Sequence, residues 1–516
     1  MKGSVFFIVL FASTSLFAQD NGWDGWEANQ DDIDYWKNER PQYIWEESEV
    51  PDYELPNPLV MPDGTMIENK GQWREHRHQL LDLFRTEMFG HSPGLPEQIT
   101  FNVNETPDVM GGKATRRIIT VASEHEGRTH EFDIVLFIPN DRVRPAPAFL
   151  LMNNRNPNNT DPTRAHKSGF WPAEEVVERG YAIAAIQNQD LAIDTQEDFH
   201  RGVIRLFEGT GLVTGVRPKD AWTALAAWGW GAKRVMDYFE TDPEIDESRV
   251  AVLGHSRGGK ASLWAAAEDQ RFALAISNNS GAGGAALSKR EFGETIAAVN
   301  NMWHWFNGNF KKYNDKEDEL PFDQHQLVSL IAPRATYIAS ADTDLWADPR
   351  GEFLSLAHAS PVYGLWNHKS IDPDKMPPLD SPANYGHCGY HVRSGDHNLT
   401  PTDWHHFMDF ADALWPLAAV SSEQDPEKAS GPSLDQNYPN PFNPTTTIRY
   451  NMPQSGGLKL EVLDILGRRI ATLVDGHKKA GNHTATFDGT GLSSGIYVYR
   501  IQTVDYVNTR TMTMVK

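Results

Sequence analysis

The sequence predicts an α/β fold, a mostly parallel β-sheet covered by helices on both faces, followed by a small β-sandwich. Three observations lead there. Apolar strand-like runs alternate with helical stretches through the body of the chain. A serine flanked by small residues stands on a turn between one such strand and the helix after it. Near the C-terminus the pattern changes to short alternating strands separated by Gly-rich turns.

Taken in order, Met1-Lys2 followed by Val5 to Phe11 and then Leu16-Phe17-Ala18 has the charged start, short apolar stretch and small cleavage residue of a secretory signal, assigned to residues 1–18. The apolar stretch is too short to span a bilayer and no later one resembles a transmembrane helix, so an exported, soluble protein is expected. Residues 19–50 are rich in Trp and Asp with weak periodicity and read as an arm lying over the body. Trp73 to Phe89 has helical spacing and ends at Gly90. Strands are expected at 117–121, 132–138, 148–152 and 181–186, a long helix at 221–239, and further buried strands at 249–253, 273–277 and 335–339. The catalytic body is thus assigned to 51–420, a polar Ser/Glu/Asp/Pro linker to 421–433, and the sandwich to 434–516, with strands at 458–462, 484–487 and 496–500.

Composition narrows the function. The chain of 516 residues has a net charge of −23, which opposes binding to nucleic acid. Residues 434–516 carry 9 Lys+Arg and 6 Asp+Glu, a balance of +3 that leaves −26 for the rest and marks a boundary. The overall sign says little about an ester substrate, because esterification removes the carboxylate charge. One cysteine, Cys388, permits no intrachain disulfide, so stability outside the cell must come from packing.

The chemistry centres on Gly254-His255-Ser256-Arg257-Gly258-Gly259-Lys260, placed between the strand at 249–253 and a helix-like run from Ala261. This is the nucleophile elbow of an α/β-hydrolase, a three-layer sandwich, and it makes Ser256 the expected nucleophile. A serine nucleophile needs a base, and the base needs an acid to hold its tautomer. His397, in the turn-rich stretch Arg393-Ser394-Gly395-Asp396-His397-Asn398, is the best placed of 19 histidines; His387, His391, His405 and His406 are the other late ones. The spacing of His387, Cys388, His391 and His397 fits no common zinc pattern, so neither metal nor diffusible cofactor is expected. The acid should lie on the loop after the strand at 335–339, where Asp342, Asp344 and Asp348 all fall and position alone does not rank them.

On these residues the body resembles the glucuronoyl esterases of carbohydrate esterase family 15. The match covers about residues 50 to 418 and includes the extended elbow, Asn279 to Gly284, Gly293-Glu294-Thr295, Ala332-Pro333-Arg334, Asp344 to Pro349 and Gly395-Asp396-His397. The resemblance implies Ser256 as nucleophile, His397 as general base, Arg257 as oxyanion donor, and Lys260, Glu294 and Trp346 against the uronic-acid ring. Many members carry the acid immediately before the Ser-Gly-x-Gly-Gly run, where this chain has Asn279; the resemblance therefore shifts the role to Asp344, as in some bacterial relatives. It implies hydrolysis of 4-O-methyl-glucuronoyl esters joining glucuronoxylan to lignin alcohols; a monomer is expected. Esterases of acetylated or galacturonoyl polysaccharides, and a non-catalytic surface carbohydrate-binding protein, are the alternatives. The C-terminal module resembles the sorting domain of type IX secretion, through Tyr438 to Pro444, Asp464 to Arg468 and Gly495 to Tyr499, which implies the outer-membrane secretion machinery as partner and a secreted or cell-surface location.

Overall fold

The computed structural model describes residues 23–515 except 142–144, 210–216, 417–432, 438, 453, 465–467 and 504–506. The expected secretory signal, most of the linker, Tyr438 and residues 465–467 of the sorting motifs lie outside the described residues. The chain forms two compact units, residues 1–418 and 419–516.

The first unit is built on a ten-stranded sheet with the order β1-β2-β3-β5-β4-β6-β7-β8-β10-β9. The strands are β1 Gln98–Asp108, β2 Ala114–His125, β3 Arg128–Pro139, β4 Ala146–Asn153, β5 Ala182–Gln187, β6 Ile245–His255, β7 Leu274–Asn278, β8 Ala335–Ala341, β9 Ala383–Asn384 and β10 Cys388–Arg393. The middle of the sheet, from β5 through β10, is parallel. Those strands are buried on both faces, which is why β4, β7 and β8 read as unbroken apolar or small-residue runs. One edge, β1 to β3, is antiparallel. The sequence reading placed no strand at β1, an edge strand with no buried residue, although Ile99, Phe101 and Val103 alternate along its first half and two of them pack partly buried against the core.

Helices cover both faces. They are α1 Gln30–Glu39, α2 Lys70–Phe84, α3 Ala224–Phe239, α4 Arg257–Glu268, α5 Pro349–Tyr363 and α6 Pro401–Leu414, with shorter turns between them. One core packs Trp228, Leu263 and Phe353 against one face, and another packs Trp171, Tyr337, Trp404 and Phe407 against the other. The helix expected at 73–89 is observed as α2 followed by a π-helical turn, Arg85–Phe89. It stops at Gly90 with φ 80°, where a Cβ would lie 2.3 Å from Trp222 Cα. The helix expected from 221 starts at Ala224, because the Thr223 hydroxyl caps it by accepting from the Ala226 N–H.

The arm, expected to have weak periodicity, forms α1 and an aromatic knot. No residue of α1 is fully buried, so its order comes from Asn29, which caps it, and from its own Ile33 and Trp36, which pack partly buried against the core. Trp36 stacks on Trp45 at 5.0 Å, and Glu47 pairs with Arg290 at 2.7 Å. Cys388 is buried at the start of β10, and burial pushes its thiol up.

The second unit has two antiparallel sheets, β11-β12-β15 and β14-β13-β16-β17. Their strands are Ser433–Leu434, Thr445–Met452, Gly456–Leu463, Arg469–Lys478, Gly481–Asp488, Gly495–Gln502 and Val507–Met514, numbered β11 to β17. The alternation Ile448, Tyr450, Met452 on β12 and Tyr497, Tyr499, Ile501 on β16 fills one core of its own.

Candidate active site

Ser256 follows β6 in the middle of the sheet and precedes α4. Its φ of 57° and ψ of −130° are strained for a residue with a Cβ. The turn is possible because a Cβ on Gly254 would lie 1.9 Å from Gly258 O, so only glycine lets strand end and helix start approach this closely. The Ser256 N–H donates to Asn278 O at 2.8 Å, tying the elbow to β7. Arg257 opens α4, so its N–H belongs to the helix-terminal donors that lack an intrahelical acceptor.

His397 comes from the loop after β10, and several groups fix that loop. Arg393 donates to the carbonyls of Ser394, Asp396 and Asn398; Asp380 accepts from Ser394 N–H and Oγ. Beneath it, buried Asp403 takes Arg393 Nε at 2.8 Å and His391 Nε2 at 2.9 Å. Burial works against its ionisation, but these partners hold it down at about 2.

The three aspartates on the loop after β8 separate cleanly. Asp344 Oδ2 lies 2.6 Å from His397 Nδ1, with its side chain buried. Asp342 instead accepts the Gly395 N–H at 2.8 Å. Asp348 caps α5 and pairs with Arg290 at 2.9 Å. The other late histidines are engaged elsewhere: His391 with Asp403, His405 with Glu175, His406 against His391 and His387 stacked on His368.

Ser256, His397, Lys260, Asn279, Glu294, Trp305 and Trp346 line one cavity of about 180 Å³. Buried Lys260 gives its ammonium to Glu294 Oε2 at 2.9 Å and to Ala282 O. Trp346 Nε1 donates to Glu294 Oε1 at 3.2 Å, so cation, carboxylate and indole are one hydrogen-bonded wall. Asn279, with φ 45°, donates from Nδ2 to Asn398 O at 3.3 Å and so braces the histidine loop.

Several groups around the cavity escaped the sequence reading. Asp194 pairs with Arg257 Nε and accepts from His304 Nε2 at 2.9 Å and Trp305 Nε1 at 2.7 Å. Burial opposes its charge, yet these three partners keep it below the usual carboxylate range. His255 is fully buried with Nε2 facing Arg155 Nη2 at 2.9 Å and Nδ1 facing Asn278 Oδ1 at 2.6 Å. Arginine can only donate, so Nδ1 carries the proton, and burial keeps this imidazole neutral. Glu352 accepts the N–H groups of Ser280 and Gly281 and the Ser340 hydroxyl, and burial pushes it up to about 8. No motif marks Asp194, His304 or Glu352, and only folding unites them with the elbow.

A serine on a strained turn at the carboxyl end of a parallel strand, with an imidazole in the same cavity, defines an α/β-hydrolase. The relatives narrow the class. A model described as fungal glucuronyl esterase matches residues 121–366. A carbohydrate esterase from an unknown prokaryotic organism is 38% identical over 400 residues, covering 72% of this chain and 91% of the relative. The solved glucuronoyl esterase of Solibacter usitatus is 36% identical, with a TM-score of 0.67 over 71% of this chain and 100% of its own. A 4-O-methyl-glucuronoyl methylesterase of Phanerochaete chrysosporium is 30% identical over 60% of this chain and 61% of the relative. The chain belongs to the glucuronoyl esterases of carbohydrate esterase family 15. It is a carboxylic ester hydrolase for uronoyl esters. Residues 436–515 match a secretion system C-terminal sorting domain, of the type IX kind, which directs the protein to the cell surface or medium.

Proposed function

We propose that the protein cleaves 4-O-methyl-glucuronoyl esters linking glucuronoxylan to lignin alcohols, through a Ser256–His397–Asp344 triad and an acyl-enzyme. The observation that carries this reading is the 2.6 Å contact between His397 Nδ1 and Asp344, at a cavity shared by Ser256 and the Lys260–Glu294–Trp346 wall. His397 Nε2 takes the Ser256 proton while Oγ attacks the ester carbonyl carbon, and Asp344 stabilises the imidazolium. Negative charge develops on the carbonyl oxygen and is met by the Arg257 N–H and guanidinium, the latter fixed by Asp194. The C–O bond to the alcohol breaks and the alcohol leaves with the proton from His397. Water, deprotonated by the same imidazole, then releases the uronate and restores Ser256. Lys260 and Glu294 meet the ring hydroxyls and Trp346 its apolar face.

Hydrolysis of benzyl and methyl glucuronate, measured beside release of acetate from acetylated xylan, tests the reading. Turnover of the glucuronates that Ser256→Ala abolishes supports it. Acetate release without glucuronate turnover refutes it.

A further inference from the structure

We propose that the cleft between Phe199 and Trp303 is a second saccharide site, which takes a free, uncleaved acidic sugar of the polysaccharide whose ester is cut at Ser256. The inference rests on the reading above and extends it from one residue of the substrate to its neighbours. The cleft encloses about 440 Å³. Trp303, 41% exposed, is the only exposed tryptophan among the described residues, so its indole is unspent on the core. Phe199 fixes it edge-on at 5.3 Å. An indole held open in this way offers an apolar platform to the face of a pyranose ring.

Charge then selects the sugar. In a chain of net charge −23, this cleft gathers Arg217, Lys219 and Lys311 against one carboxylate of its own, Glu197. Arg217 is satisfied by Glu208 at 2.7 Å. Lys219 and Lys311 have no carboxylate within ion-pairing distance among the described residues. Lys311 Nζ stands 5.1 Å over the Trp303 ring, and burial pulls its ammonium pKa down. A half-buried cation short of an anion, beside an open indole, suits a carboxylate borne on a sugar.

Position ties this site to catalysis. His304 lines the cleft and holds Asp194, which pairs with Arg257. The next residue, Trp305, lines the Ser256 cavity. Adjacent residues of one segment therefore line the two sites. The departing alcohol must take its proton from His397, whose other side opens on a groove lined by Arg155, Phe170 and Asn398. His397 lines that groove and not the cleft, which gives the departing alcohol its own space beside the imidazole and leaves the cleft to the saccharide.

The test uses the full chain carrying Ser256→Ala, titrated calorimetrically with an acidic xylo-oligosaccharide bearing one free 4-O-methyl-glucuronate. Adding Trp303→Ala, or Lys219→Ala with Lys311→Ala, should weaken binding about ten-fold. The lysine pair should leave binding of the neutral xylo-oligosaccharide unchanged. In the active enzyme the same substitutions should leave kcat/KM on benzyl glucuronate within about two-fold and raise KM on an ester carrying a second, free uronate. Equal affinity of parent and variants for the acidic oligosaccharide overturns the proposal, whether or not the enzyme cuts glucuronates. Loss confined to esters with extended aromatic alcohols assigns the cleft to the leaving group and also overturns it. Absence of any glucuronate turnover, with binding behaving as expected, faults the catalytic reading alone.

Discussion

Asp344 and Asp342 stand two residues apart and do different work. The first touches the imidazole and the second only the Gly395 backbone. Asp344→Asn should lower kcat by up to about four orders of magnitude, the loss measured when the Ser-His-Asp template loses its carboxylate. Asp342→Asn keeps an oxygen acceptor for the Gly395 N–H and should stay within about ten-fold of the parent in steady-state assays on benzyl glucuronate. Glu352 gives a prediction in pH. Its pKa is raised by burial, helped by the nearby Asp344 charge, from 4.5 to about 8. A carboxyl whose folded pKa lies above its unfolded value takes up protons on folding, so it costs stability as pH rises from the unfolded value through the folded one. Glu352→Gln keeps an acceptor for the Ser280 and Gly281 N–H groups and cannot ionise. Melting curves at about pH 5 and about pH 8.5 should show the variant gaining on the parent at the higher pH.

At the scale of elements, the arm packs behind the Trp346 side of the Ser256 cavity. Trp36 stacks at 6.4 Å on Trp346 and donates from Nε1 to Thr343 O at 3.3 Å; the Arg40 guanidinium sits 4.0 Å over the Trp346 ring. Trp36→Ala should therefore raise KM for a glucuronate ester about five-fold, and Trp36→Phe, which keeps the stack, should leave it near the parent value. Initial rates over a range of substrate concentrations check both. This role was not legible in the sequence, because α1 has only Ile33 and Trp36 turned to the core, too few for a periodic stripe, and the indoles on which Trp36 stacks lie outside the helix. The elbow was legible, since an apolar strand, small residues around a serine and a helix-forming run specify one local geometry. The carboxylate was not, because three aspartates share one loop and only the path of that loop decides which reaches His397. Asp194 and His304 lie 110 residues apart and nothing local links them.

For the whole molecule, each unit has its own core: the sheet's two faces in one, and Phe442, Tyr450, Leu460 and Tyr499 in the other. A chain ending at residue 418 should fold, keep kcat/KM on glucuronate esters within about two-fold, and lose its route to the cell surface. Fractionation of cells expressing both forms, with an esterase assay on each fraction, checks it. The secluded sulfur of Cys388 makes the same molecule convenient to handle. With the native thiol both hidden and held in its unreactive form, a cysteine substituted at exposed Tyr35 would be the one to take a maleimide at neutral pH. Dyes, resins or tethers could then be attached at one chosen address without first rebuilding the protein.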